Sequence, residues 1–139
     1  MRIDGSRDIL VALLPQLGAD GVDSLLPFLT DLRAEKGHVM VKQGDQDEDM
    51  YFLLNGIFSV FEKIQINRSD VVLHTATFPA PGILGEVSIM TDAERTATVV
   101  VMEPADCLCL TKQKFDALVK AKPTIAIELL KTFGAVMYG

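Results

Sequence analysis

The dipeptide Asn55-Gly56 lies between two strand-like runs, Met50-Tyr51-Phe52-Leu53-Leu54 before it and Ile57 to Ile64 after it. Both central residues of a type I′ turn take positive φ, which Asn-Gly accommodates better than other pairs. The spacing therefore predicts a hairpin at 55–56. From about residue 32 onward the chain keeps the same grammar. Val39-Met40-Val41, Val71 to Phe78, Thr96 to Met102 and Cys107 to Leu110 are further strand-like runs. The turns between them read as Glu35-Lys36-Gly37-His38, Gln43-Gly44-Asp45, Asn67-Arg68-Ser69-Asp70 and Glu103-Pro104-Ala105-Asp106. Many short strands split by glycine turns indicate an antiparallel roll or barrel.

Helical patterns flank this region. Ile9, Leu10, Leu13, Leu14 and Leu17 form one apolar stripe over 7–17, with Pro15 disturbing its end and Gly18 breaking it. Asp20 is the candidate cap of a second helix carrying Val22, Leu25, Leu26 and Leu29. After the strands, Thr111 is placed to cap a helix over 112–122 with Phe115, Leu118 and Val119 inward. Pro123 suits the first turn of a last helix. There Ala126, Leu129, Leu130, Phe133 and Met137 form a stripe for a core or for a partner, either a second copy or an effector domain. The expected fold is mainly β with flanking helices: an antiparallel, jelly-roll-like β-roll (a double-stranded β-helix) over about 32–111. A helical bundle over about 7–30 precedes it and helices over about 112–138 follow, all within one domain spanning 1–139.

Bulk properties narrow the function. With 139 residues, 49% of them hydrophobic, the chain can bury a sizeable core. A net charge of −6 argues against a nucleic-acid surface, which needs clustered cations. No apolar run approaches a membrane span, and the first residues lack the apolar core of a signal peptide. A cytoplasmic location is the default expectation.

Cys107 and Cys109, two apart on one strand, share a face and read as packed residues. His38 and His74 are isolated and read as solvated or packed. The acidic run Asp45–Asp49 lacks the glycine and terminal glutamate of a calcium loop, so it reads as a solvated loop that deters association. No metal site is expected. Metal-dependent chemistry in a small roll would need clustered histidines with a carboxylate. Hydrolysis would need a nucleophile elbow, and Ser88 has no evident base. The chain is not expected to be an enzyme.

One stretch remains, Gly82 to Val99. It reads as a turn, one or two helical turns, then a strand. Helix N-termini present unpartnered N–H groups that attract anions, and Arg95 adds a charged fork of donors. Glu86 beside an anion site makes sense if the ligand also carries a hydroxyl, such as a ribose 2′-OH, from which a carboxylate can accept.

These residues resemble a known family. Gly85-Glu86-Val87-Ser88-Ile89, followed by Arg95-Thr96-Ala97-Thr98, is similar to the phosphate-binding cassette of cyclic nucleotide-binding domains. Those are the cAMP or cGMP sensors of catabolite-activator-type regulators, cyclic-nucleotide-dependent kinases and gated channels. Leu84 stands where the family commonly has Phe, Ser88 where it has Ala, and Glu94 where Pro is frequent. The glycine landmarks Gly37, Gly44, Gly56 and Gly82 also match in order, so the resemblance covers about residues 17–135.

The resemblance implies that Glu86 accepts from the ribose and that Arg95 pairs with the cyclic phosphate. Backbone amides near Gly85 and Ser88 would complete a site made of Leu84, Gly85, Glu86, Val87, Ser88, Arg95, Thr96 and Ala97. Thr96 would stand near the base and leaves cAMP and cGMP both open. It further implies a ligand and no cofactor, and a coupling of binding to movement of the C-terminal helices; the acidic charge leaves no direct nucleic-acid contact expected of this chain. The competing reading is a protein-interaction module that keeps the fold without the ligand.

Overall fold

The computed structural model describes residues 5–86, 89 and 93–138, the side chains of 134–138 excepted. Helices α1 (Ser6–Leu13) and α2 (Gly18–Leu25) run into a short 3-10 turn at Leu26–Phe28. Eight strands follow: β1 (Thr30–Ala34), β2 (Val39–Val41), β3 (Met50–Leu53), β4 (Ile57–Ile66), β5 (Ser69–Pro79), β6 (Gly82–Leu84), β7 (Thr98–Glu103) and β8 (Ala105–Leu110). Helices α3 (Lys112–Ala121) and α4 (Pro123–Tyr138) end the chain. None of the helices described is long and apolar enough to cross a membrane.

The strands form two four-stranded sheets, ordered β1-β8-β3-β6 and β2-β7-β4-β5, with every pairing antiparallel. The mainly β roll with flanking helices is the expected architecture, but its connections are not the expected ones. Consecutive strands change sheet at almost every step, and among the described residues only β4 and β5 are joined as a hairpin.

Asn55-Gly56 is therefore a crossover. Strand β3 pairs with β8 and β6, while β4 belongs to the other sheet. Gly56 alone takes the positive φ there, at 102°, and a Cβ on it would stand 2.5 Å from the Cβ of Ala105. The Glu103–Asp106 segment is likewise a change of sheet between β7 and β8, with strand residues on both sides of Pro104. The I′ geometry occurs at Asn67-Arg68, which have φ of 50° and 67° and join the paired residues Ile66 and Ser69. Strand β1, which the sequence pattern does not single out, pairs along its whole length with β8.

Near the N-terminus, α1 stops at Leu13, two residues before Pro15. The ring of Pro15 disfavours helical backbone at Leu14, which adopts φ −124°, ψ 63°. Helix α2 already begins at Gly18, so Asp20 lies inside its first turn and does not cap it. The Thr111 cap does form, its hydroxyl accepting from the Lys114 amide at 3.1 Å. Pro123 opens α4.

Two cores result. One lies between the sheets and holds Val41, Leu53, Phe58, Val99, Val101 and Cys107. The other lies between the β1-β8-β3-β6 sheet and the helices, and joins Leu10, Leu14 and Val22 to Phe52, Leu108, Phe115, Leu129 and Phe133. That sheet is buried on both faces, which explains the unbroken apolar run from Met50 to Leu54.

Candidate functional site

The segment after β6 turns at Gly85, whose φ is +87°. Two demands meet at this residue. The left-handed backbone disfavours any side chain, and a Cβ would stand 2.6 Å from Arg95 Nη1 and 2.8 Å from the Asp49 carbonyl oxygen. The turn can close over the guanidinium only because residue 85 has no side chain. Glu86 and Ile89 then take helical conformation. Ile89 is 3% exposed and packs into the helix-side core with Phe115, Leu118 and Phe133.

Arg95 reaches the same place from the other side of the cassette. Its amide donates to the Asp45 carbonyl at 2.7 Å and its carbonyl accepts from the Gly44 amide at 2.8 Å. The 42–49 loop and the strand-entry segment thus hold each other by backbone bonds. The loop is fixed at its start as well. The Gln43 side chain donates to the Lys63 carbonyl at 3.0 Å and accepts from the Lys63 amide at 2.7 Å. The Gln43 amide donates to Thr98 Oγ1 at 3.0 Å.

The Arg95 side chain is 5% exposed. Nη2 donates to Asp47 Oδ1 at 2.5 Å, Nε donates to Asp47 Oδ2 at 3.3 Å, and Nη2 also donates to the Asp49 carbonyl. Asp47 remains 41% exposed. The acidic loop is thus more than a solvated run: Asp47 supplies the countercharge of the buried guanidinium. Burial, reinforced by the charge of Asp47, pushes the Asp49 carboxyl above the usual carboxylate range.

A cavity of about 600 Å³ opens beside these groups, within the range of about 300–1,000 Å³ usual for small-molecule sites. Its apolar walls are Val41, Val60, Phe78 and Val99 from the β2-β7-β4-β5 sheet, with Ile83 and Leu84 from β6. Gly85, Glu86 and residues 93–97, including both Glu94 and Arg95, line the rest. Leu84, Gly85, Glu86, Arg95, Thr96 and Ala97 all line this one cavity. Val87 and Ser88 lie outside the described residues. Thr96 and Glu94 are exposed, while Leu84, Glu86 and Ala97 are half-buried. Opposite Leu84 in the β3–β6 register, Tyr51 is half-buried, and burial raises its phenol to about 12, so it stays neutral.

The sequence reading missed Asp47 and the valine walls. The strand pattern carried the valines without saying which cavity they faced. Asp47 had no local signal, because its partner is distant along the chain.

The other candidates fall elsewhere. Cys107 is buried in the inter-sheet core and Cys109 is half-buried, and burial raises their thiols to about 12 and about 11. His74 is exposed, with its ring 5.2 Å from that of Phe61 and Nε2 2.8 Å from Thr77 Oγ1.

The family model described as "Cyclic nucleotide-binding domain" matches residues 31–122, more than half of the chain. Human patatin-like phospholipase domain-containing protein 6 is 27% identical over 105 residues, 75% of this chain but 7% of that protein. The cyclic AMP receptor protein of Thermus thermophilus is 25% identical over 114 residues, 81% of this chain and 51% of its own length. The chain thus spans a small part of the first relative and about half of the second. The crystal structure of a cyclic nucleotide-binding domain from Methylobacillus flagellatus superposes with a TM-score of 0.76 at 19% identity, covering 99% of this chain and 83% of that one. That likeness shows the fold, and the match of the family model goes further: the chain belongs to the cyclic nucleotide-binding domain family.

Proposed function

We propose that this chain is a sensor that binds a cyclic nucleotide, cAMP or cGMP, and passes the event to its C-terminal helices. The observation that carries the reading is the cavity itself. A largely apolar cavity of a size suited to a base and ribose is lined also by the buried Arg95 and by Glu86. Arg95 would pair with the cyclic phosphate and Glu86 would accept from the ribose 2′-OH. Leu84, Gly85, Thr96 and Ala97 would shape the site, with Val87 and Ser88 expected to contribute from the cassette. Thr96, on the rim, would meet the base, and cAMP is the first ligand to try. No catalytic role and no cofactor are proposed.

Coupling to the helices runs through Ile89. It sits on the cassette and is packed among residues of α3 and α4, so a shift of the cassette changes the packing of those helices. That shift is limited by the ligand's differential affinity for the two arrangements.

The alternative, an interaction module without ligand, draws on the pairing of Arg95 with Asp47, which leaves the guanidinium already neutralised. Against it stands the α4 stripe. Ala126, Leu129 and Phe133 are buried in the chain's own core and are not offered to a partner.

Calorimetric titration with cAMP, cGMP and 5′-AMP, with Arg95→Ala as control, tests the proposal. Saturable binding of a cyclic nucleotide that Arg95→Ala loses supports the sensor. Absence of heat with all three ligands supports the module. Unchanged hydrogen exchange over 112–138 at saturation would refute the coupling.

A further inference from the structure

We propose that the outer face of the β2-β7-β4-β5 sheet carries a second binding site, for a small anion with an aromatic body. The site is a cavity of about 320 Å³ lined by Lys42, Gln43, Phe61, Lys63, Val72 and Thr98. None of these residues lines the cavity that holds Arg95, so the two sites stand or fall separately.

Its place follows from the pleat of the sheet, in which successive residues face opposite sides. Val41, Val60 and Val99 face the larger cavity, and their chain neighbours Lys42, Phe61 and Thr98 line this one. Val60 pairs with Val99 and Phe61 with Thr98, so the two rows run side by side on opposite faces. One thickness of sheet separates the two cavities.

Charge names the ligand's polar end. The chain has 19 acidic residues against 13 lysines and arginines, yet among the described residues this lining holds two lysines and no acid. The two are tied together through Gln43, next to Lys42, whose side chain bonds both the carbonyl and the amide of Lys63. Like charges held on one small cavity repel, and an anion between them removes that cost. Asp70 does little of this, because its contact with Lys63 is 4.0 Å long and both side chains are well exposed. Thr98 Oγ1 accepts from the Gln43 amide at 3.0 Å, which leaves its hydroxyl proton for an acceptor in the cavity.

The remaining surface names the ligand's body. Phe61 is half-buried, and Val72, opposite Lys63 in the β4–β5 register, is 64% exposed. The Phe61 ring already meets the His74 ring at 5.2 Å, so a flat group beside it extends an existing aromatic contact. The volume lies at the small end of the usual range of about 300–1,000 Å³, which suits one ring carrying one charged group.

The test is an amide NMR titration of the wild-type protein, Lys42→Gln and Lys63→Gln with phenyl phosphate and benzoate. Inorganic phosphate and benzyl alcohol, each with half of the chemistry, serve as comparisons. Expected are saturable shifts at Gln43, Phe61, Lys63, Val72 and Thr98 with at least one aromatic anion. Which of the two saturates at lower concentration tells a phosphate from a carboxylate ligand. Each lysine variant should bind at least about 3-fold more weakly. Both positions are exposed, so the fold is not at risk.

Three results would overturn the second site: no saturable shift with either aromatic anion, equal binding by inorganic phosphate or benzyl alcohol, or affinity unchanged in both lysine variants. Shifts centred on Gly85 and Arg95–Ala97 would likewise overturn it, by placing the probe in the larger cavity, and would support an anion site there.

Discussion

Asn55 and Asp106 bind each other in both directions: Asn55 Nδ2 donates to the Asp106 carboxylate at 2.9 Å, and the Asp106 amide donates to Asn55 Oδ1 at 2.8 Å. The Leu54 amide adds a bond to the Asp106 carbonyl at 2.9 Å, and Arg33 Nη1 reaches the carboxylate at 3.0 Å. Both residues sit where the chain changes sheet, so this knot ties two crossovers of the roll side by side.

The knot has a pH signature. The Asn55 hydrogen bond, and after it the Arg33 charge, hold the Asp106 carboxyl below the usual carboxylate range. A carboxyl depressed in the folded state stabilises the fold above its unfolded pKa, and that contribution is lost as pH falls through the folded value. Urea unfolding at a series of pH values should therefore show stability declining below about pH 4. Asn55→Ala should lower neutral-pH stability by about 1–2 kcal/mol and flatten that acid limb. An acid limb identical in the two proteins would remove Asp106 from the account.

At the cavity, Arg95→Ala should weaken cyclic-nucleotide binding by roughly 100- to 1,000-fold, because truncating one partner of a buried charge pair costs about 3–5 kcal/mol. Glu86→Ala should weaken it less, about 10- to 100-fold, since a hydrogen bond between a charged and a neutral group contributes about 1.5–3 kcal/mol. Calorimetry on both variants checks the order, and a larger loss for Glu86→Ala would contradict the assignment of the phosphate to Arg95.

Gly85→Ala combines two insults. A left-handed backbone that L residues resist costs about 1–3 kcal/mol, and the new Cβ would strike the guanidinium and the Asp49 carbonyl. The variant should melt at a lower temperature and lose nucleotide affinity together. A variant that melts normally and binds normally would mean that the turn relaxes without moving Arg95.

The thiols should be inert in the folded protein. With Cys107 raised to about 12 and Cys109 to about 11 by burial, the thiolate is scarce at pH 8. Iodoacetamide labelling followed by mass spectrometry should run roughly 100-fold or more slower in native protein than in urea. Native labelling at the unfolded rate would show that the strand opens.

Much of this architecture could be read from the chain, because strand length, glycine turns and helix stripes are local signals. Gly85, Glu86 and Arg95–Ala97, which line one cavity, could be picked out together for the same reason, as each half is compact in sequence. What escaped was long-range. Asn-Gly at 55–56 carries a hairpin signal, yet its strands serve different sheets, and the true I′ turn formed at Asn67-Arg68. Strand β1 owes its state to β8, more than seventy residues away in its pairing. Asp47 looked like one acid among several because its meaning lies in a partner 48 residues downstream.

Strand β3 carries two messages interleaved. Met50 and Phe52, with Leu54 just past the strand's end, address the helices, while Leu53 addresses the roll interior. Neighbours in sequence thus belong to different bodies, and a slip of one register step would deliver each set to the wrong address. Substituting Phe52 should disturb how α1 and α4 seat, whereas substituting Leu53 should disturb the chamber side. The parity of a position along this strand, odd or even, tells which half of the molecule a mutation will reach first.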